Sequence, residues 1–301
     1  MMNAPVLLIV FNRPEHARIV AEAICKSDPP IVYIAADGPR PDVPDDPAKC
    51  KATREAVESV QWKCPVETSF QTNNLTCAAA VTHALNWFFD KNECGIVLED
   101  DCLPDPSAFN YFGNLLDRFR DEDRVGCITG NNFQHGRKPC LESYYFSRYN
   151  HCWGWATWAR QWSLFDFNMN SSQSDSEIIK SMGCGDVERR YWQQQFARTR
   201  SGQINTWDYQ WMWSLWHANK LTATPAVNLV ENIGYGIGAT HTYGKSPGIH
   251  AEPMEFPLRH PDIFAASAQR DHYVAMNHFR LSRWHRFRSS TGRILRSMNL
   301  R

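Results

Sequence analysis

The first half of the chain alternates short apolar runs with stretches of helical length, and this constrains the fold more than any other feature of its 301 residues. Pro5 to Phe11 (PVLLIVF) has no polar face, the pattern of a strand buried on both sides. Asn12-Arg13-Pro14 breaks it. Pro14 suits the first turn of a helix, which runs from Glu15 to Lys26 with Ile19, Val20 and Ala23 on one face. The cycle repeats with strands at Ile31 to Ala36, Val66 to Gln71, Gly95 to Glu99 and Val125 to Gly130. Helices are predicted at Ala48 to Val60, Leu75 to Asp90 and Pro106 to Arg120. Such alternation predicts an α/β fold, a mostly parallel sheet flanked by helices. Ligands of these sheets bind beyond the carboxyl ends of the strands. That rule puts Asn12-Arg13, Asp37-Gly38, Asn73-Asn74 and Glu99-Asp100-Asp101 along one edge.

Several functions are disfavoured. No G-x-G-x-x-G follows the first strand and no G-x-x-x-x-G-K-[ST] occurs, which argues against a dinucleotide fingerprint or a P-loop. With 43% hydrophobic and 21% charged residues the chain has an ordinary globular profile. It has no apolar run of about 18 residues to span a membrane. The start, MMNAPVLLIVFNRP, lacks a basic n-region and a small-residue cleavage site, so it does not read as a secretory signal. The ten cysteines include no C-x-x-C pair and read as reduced, packed thiols of a cytoplasmic protein rather than a zinc knuckle.

The second half is different in kind. Nine of the twelve tryptophans lie between Trp153 and Trp216, which marks this region as an aromatic one. Helices are predicted at Gly154 to Trp162, Asp186 to Arg200 and Asp208 to Asn219, with a polar loop at Ser171 to Ser176 and a Gly-rich loop at Asn232 to Pro247. Core packing accounts for most of these tryptophans. One or two would line a groove, since sugar rings offer C–H faces to aromatics. From His272 to Arg301 there are seven arginines and no acid, leaving 25 bases against 32 acids elsewhere. Leu281, Trp284, Phe287, Ile294 and Met298 recur at helical steps among them. Residues 280–301 therefore predict a basic amphipathic helix, seated on an anionic membrane surface or docked on the acidic body. No motif accompanies the charge that would suit nucleic acid.

Glu99-Asp100-Asp101 is the strongest chemical feature. Three consecutive acids at a strand end repel one another unless a cation or hydrogen bonds neutralise them. Hard oxygen ligands there suit Mg²⁺ or Mn²⁺ shared with a phosphate. The alternative is a solvated acidic turn.

The segment NLTCAAAVTHALNWFF…GIVLEDDCLPDPSAF resembles metal-dependent glycosyltransferases of the GT-A fold, most of all the bacterial branch related to N-acetylglucosaminyltransferase I. The resemblance runs from Pro5 to Thr242 through NRP, DGPR, NL, LEDD, WGWATW, TWDYQW and NIGYGIGATHT in that order. It implies a nucleotide-sugar donor, UDP-linked, inverting transfer, and a glycan or lipid-linked glycan as acceptor. It implies that Asp101 ligates a divalent cation, Mn²⁺ or Mg²⁺, and that His241 approaches the metal or diphosphate. Asp100 would contact the donor ribose or the metal's water shell, and Glu99 would contact the donor sugar or brace the motif. Arg13 would lie near the nucleotide and diphosphate, Asp37 near the base, and Asn74 by the nucleotide or sugar. Asp208 would be the general base. The acidic run departs from the commoner D-x-D, so which carboxylates touch metal stays open.

On this reading residues 1–130 form the nucleotide-sugar-binding half and 131–250 the acceptor-binding and catalytic half of the same domain. Residues 251–301 are a C-terminal extension. Two alternatives stand beside it: a sugar-1-phosphate nucleotidyltransferase of similar fold, and a non-catalytic glycan-binding protein. The first usually has a Gly-rich, Arg- and Lys-bearing loop where NRP stands here.

Overall fold

The computed structural model describes residues 4–137, 141–235 and 248–281. The first half follows the expected cycle: β1 (Val6–Val10), α1 (Pro14–Lys26), β2 (Val32–Ala36), α2 (Asp46–Glu58), β3 (Val66–Phe70), α3 (Cys77–Phe89) and β4 (Cys94–Glu99). A short β5 (Cys102–Pro104), α4 (Pro106–Arg118) and β6 (Val125–Thr129) come next. Asp105 caps α4 by accepting from the Ser107 N–H at 2.8 Å, and Pro106 starts the helix. The second half adds β7 (Tyr144–Ser147), β8 (Trp155–Trp158), α5 (Ala159–Trp162), α6 (Asp175–Ser181), α7 (Asp186–Arg200), α8 (Asp208–His217), β9 (Leu221–Pro225), β10 (Val230–Asn232) and α9 (Ala268–Asn277).

Eight strands form one sheet in the order β3-β2-β1-β4-β8-β6-β9-β7, and β10 pairs with β5 in a separate ribbon. The pairs β3-β2, β2-β1, β1-β4 and β6-β9 are parallel. Only β8 and β7 run against the rest. The sheet is thus mostly parallel and Rossmann-like at its β3-β2-β1-β4 end.

Period-two alternation sorts side chains onto the two faces. Val6, Leu8, Val10, Ile34, Ile96 and Leu98 join one apolar cluster with Ala17, Val20 and Ile24 of α1 and Phe112 and Leu115 of α4. Leu7, Tyr33 and Val97 face the other way, onto Leu85 and Phe88 of α3 and Trp211 and Leu215 of α8. Burying each such Leu or Phe contributes about 1.5–3 kcal/mol, so both faces need their helices. A third cluster, with Tyr149, Trp192, Phe196 and Trp216, fills the space among α6, α7 and α8.

The expected helix from Gly154 to Trp162 is corrected. Trp155–Trp158 is a central strand, and only Ala159–Trp162 is helical. Trp155 packs in the second cluster while Ala156 and Trp158 pack in the first. Trp155 and Trp158 thus face opposite sides of the sheet, as residues three apart in a strand do. The loop expected at Ser171 to Ser176 gives way at Asp175 to α6, whose start carries a capping box between Ser174 and Glu177.

Nine cysteines fall among the described residues and all are free thiols, four buried and five partly so. No helix among the described residues is long and apolar enough to cross a membrane. Of the segment 280–301, only Arg280 and Leu281 are described, so the amphipathic helix expected there lies outside the described residues.

Candidate functional site

From β1 the chain steps to β2 on one side, while β4 lies on the other. The loops after β1 and β4 diverge at this reversal, which is where open α/β sheets form a crevice. A cavity of about 880 Å³ opens there. It brings together Arg13, Asp37, Asn74, Glu99, Asp100, Asp101 and Asp208. His241 lies outside the described residues.

The acids behave differently from one another. Glu99 ends β4 half-buried, and Asp100 is only 8% exposed. Asp100 Oδ2 accepts the Phe11 N–H at 3.2 Å, tying the β4 turn to the end of β1. Arg13 Nη1 donates to Asp101 Oδ2 at 2.8 Å and lies 3.8 Å from Asp100 Oδ1. Burial pushes both Glu99 and Asp100 up, Asp100 to about 7, and their neighbouring carboxylates add to the rise. Arg13 opposes that rise at both. The guanidinium thus serves as countercharge to the acidic run, a role the sequence did not point to. A Cβ at Gly234 would lie 2.2 Å from Asp101 Oδ2 and 2.7 Å from Arg13 Nη1, so only glycine lets the segment after β10 close over this pair.

No group of three or more His, Cys, Asp or Glu among the described residues has metal-holding geometry. Mg²⁺ and Mn²⁺ held with a diphosphate need only one or two carboxylates, the rest being water and phosphate oxygens. Asp101 fits that demand, with one oxygen engaged by Arg13.

Asp37 and Asn74 are partners. Asp37 Oδ1 accepts the N–H groups of Gly38 at 2.8 Å and Leu75 at 2.9 Å, and Oδ2 accepts from Asn74 Nδ2 at 2.8 Å. The same Nδ2 donates to the Gly38 carbonyl at 2.8 Å. The carboxylate therefore clamps the loops after β2 and β3 together. Burial pushes its pKa up against those donors. A Cβ at Gly38 would sit 2.4 Å from the Asn73 backbone, so the loops touch only because this residue has no side chain. Beside them Arg40 pairs with buried Asp46 at 2.5 Å, and Asn12 donates to the same carboxylate at 2.9 Å. Arg40 holds Asp46 down to about 2.

Asp208 starts α8 and accepts from the Thr206 hydroxyl. Glu99 feels the charges of both Asp101 and Asp208, so the acid triad and Asp208 share one electrostatic neighbourhood. Trp207 lines the large cavity beside Asp208, whereas Trp211, Trp213 and Trp216 are buried in the core clusters. Asp208 also lies with Cys152, Trp153, Tyr191 and Tyr209 on the wall of a second chamber of about 320 Å³. Cys152, Trp153, Asp208 and His278 line both spaces, so the chamber and the larger cavity adjoin. Asn131, Asn150, Tyr191, His278 and Phe279 had no signal in the sequence. The last two follow directly after α9.

No family model and no curated protein matches the sequence. Among solved structures, the chain is similar to HddC from Yersinia pseudotuberculosis at 7% identity and a TM-score of 0.31, over 52% of this chain and 77% of that one. It is also similar to a UDP-glucose pyrophosphorylase complexed with UDP-glucose, at 10% identity and a TM-score of 0.36, over 74% of this chain and 90% of that one. Likenesses this distant do not bear on what the chain does.

Proposed function

We propose that the chain is a glycosyltransferase that uses a nucleotide-sugar donor, UDP-linked, and attaches the sugar to a hydroxyl of a glycan or lipid-linked glycan. The observation that carries this reading is the presence of Asp208 on the walls of two adjoining spaces. One is a large cavity at the sheet's carboxyl edge with the Arg13–Asp101 pair; the other is a small aromatic chamber. A two-substrate transfer needs both, with a base where they meet.

Leaving of the nucleoside diphosphate builds negative charge on phosphate, which cations must offset. Arg13 supplies one from within the cavity, and Arg280 lines the same space. A divalent cation, Mn²⁺ or Mg²⁺, held by Asp101 and the diphosphate would supply further charge stabilisation. The acceptor hydroxyl loses its proton as it attacks, and Asp208 is the carboxylate at the junction to take it. Asp37 and Asn74 shape the nucleotide end by holding two loops together, and Asp100 braces the acid turn from beneath.

Nucleotidyl transfer onto a sugar 1-phosphate is the second reading. What favours it is the presence of Arg13, Arg40 and Arg280 in one cavity, which suits an anionic second substrate. One experiment separates the two. The protein is incubated with Mn²⁺ and a panel of nucleotide sugars and glycosides, and in parallel with nucleoside triphosphates and sugar 1-phosphates. Glycosyl transfer releases nucleoside diphosphate in the first arm; pyrophosphate in the second arm overturns it. Asp208→Asn should slow transfer about 10²–10⁴-fold while UDP affinity by calorimetry stays unchanged. Normal transfer by that variant removes Asp208 as the base.

A further inference from the structure

Arg280 follows closely on α9, and its side chain lines the large cavity together with Arg13, Asp100 and Asp101. Its backbone is unusual for an arginine, with φ at 56°, in the left-handed region. The Leu281 N–H donates back over it to the Ala275 carbonyl at 3.1 Å, the wide bond that closes a helix end around a left-handed residue. Glycine takes that position freely and arginine does not. Strain of this kind persists only where the surrounding structure imposes it, and it gathers at ligand clamps. Here the strained residue is a cation on the cavity wall. Arg13 is engaged by Asp101 at 2.8 Å, whereas Arg280 is exposed and forms no ion pair among the described residues.

What imposes the placement is a buried charge network at the other end of α9. Asp271 is 1% exposed, and Arg148 and Glu188 are 5% exposed. Asp271 Oδ1 accepts the Ser147 hydroxyl at 2.5 Å, and Oδ2 accepts the Arg148 N–H at 3.1 Å. The Arg148 guanidinium lies 3.5 Å from Asp271 Oδ2 and 3.4 Å from Glu188 Oε1. Glu188 in turn accepts the Tyr149 hydroxyl at 2.6 Å. A buried carboxylate without its partners is costly, so α9 sits well in one register only. A slip of one residue would turn Asp271 by about 100° away from all three donors. Stacking of His278 on Phe133 at 3.7 Å and the edge contact of Phe279 with Trp192 at 4.8 Å carry that register on to the segment after the helix. We propose that Asp271 is a positioning residue: it fixes the register of α9 and so seats Arg280 in the cavity as a guanidinium for the donor's diphosphate. This deepens the glycosyl-transfer reading and rests on its nucleoside-diphosphate donor.

The test uses the full chain and calorimetry with UDP and with uridine, which lacks the diphosphate, in the presence of Mn²⁺. Arg280→Met should weaken UDP about tenfold and leave uridine within about twofold of the parent. Asp271→Asn withdraws the charge that holds Arg148 and should weaken UDP about three- to tenfold, again sparing uridine. In the Arg280→Met background the same change should cost UDP nothing further, because it acts through Arg280. A residue that only held the fold together would weaken uridine as much as UDP and would add to Arg280→Met. Ser147→Ala removes one donor to Asp271 and serves if Asp271→Asn unfolds; it should weaken UDP about two- to threefold and spare uridine. Arg280→Gly relieves the left-handed strain, so Tm should rise by about 1–2 °C while UDP affinity falls as in Arg280→Met. The proposal is overturned if Arg280→Met binds UDP like the parent, if the Asp271 or Ser147 variant weakens uridine as much as UDP or leaves both unchanged, if the two substitutions add, or if Arg280→Gly lowers Tm. Should the parent bind UDP and Arg280→Met bind it equally, the positioning role falls alone. Should the parent bind no nucleoside diphosphate, the donor reading falls and takes the proposal with it.

Discussion

Replacing Asp37 with alanine distinguishes a loop clamp from a base-recognition residue. The substitution leaves two backbone donors, Gly38 N–H and Leu75 N–H, without their acceptor, and takes one of two acceptors from Asn74 Nδ2. A buried donor left unpaired costs about 1–3 kcal/mol. Water entering from the cavity can satisfy part of this, so the lower half of the range applies and the total is about 3 kcal/mol. For a chain of 301 residues, at about 2.1 cal/mol/K of unfolding entropy per residue, that lowers Tm by about 5 °C. The assay is thermal unfolding followed by circular dichroism, paired with UDP calorimetry on the folded variant. Asp37→Asn keeps one side-chain acceptor and should recover roughly half of the loss. A fall in Tm below about 2 °C together with lost UDP binding would refute the clamp and return Asp37 to direct contact with the nucleotide.

Two further outcomes follow from the geometry. Gly234→Ala forces a methyl against Asp101 Oδ2 and Arg13 Nη1, so the pair must separate; overpacking of this kind costs about 1–3 kcal/mol. UDP affinity measured with Mn²⁺ should fall at least about tenfold; parent-like binding would show that the Arg13–Asp101 arrangement is not what the donor meets. The second concerns acid. Burial lowers the His278 pKa from 6.5 to about 4, so the unfolded chain binds this proton more readily. Its contribution is therefore whole above pH 6.5 and is lost as pH falls towards 4. Urea titrations should show the stability difference between the parent and His278→Phe shrinking by about 3 kcal/mol from pH 7 to pH 4. A pH-independent difference would mean that His278 is solvated in the folded protein.

The meeting of residues at the sheet edge was legible in the sequence because a parallel sheet has only one carboxyl edge. Once β1, β2, β3 and β4 were recognised as strands, the residues after each had to meet, and Arg13, Asp37, Asn74 and Asp101 do line one cavity. What each residue touches was not legible. Whether Arg13 faces a phosphate or Asp101 depends on ångström-scale placement of loops, and a string of letters holds no distances. The aromatic half misled for another reason. Trp155 and Trp158 sit on opposite faces of β8, yet their spacing of three also suits a helix, and flanking aromatics supply no polar residue to break the tie. Chamber residues such as Asn131, Asn150 and His278 come from segments distant in the chain and outside regular elements, so periodicity has nothing to say of them. That asymmetry has a physical root. The large cavity is built on the carboxyl edge of the parallel strands, whereas the small chamber takes its lining from loops and from α7 and α8.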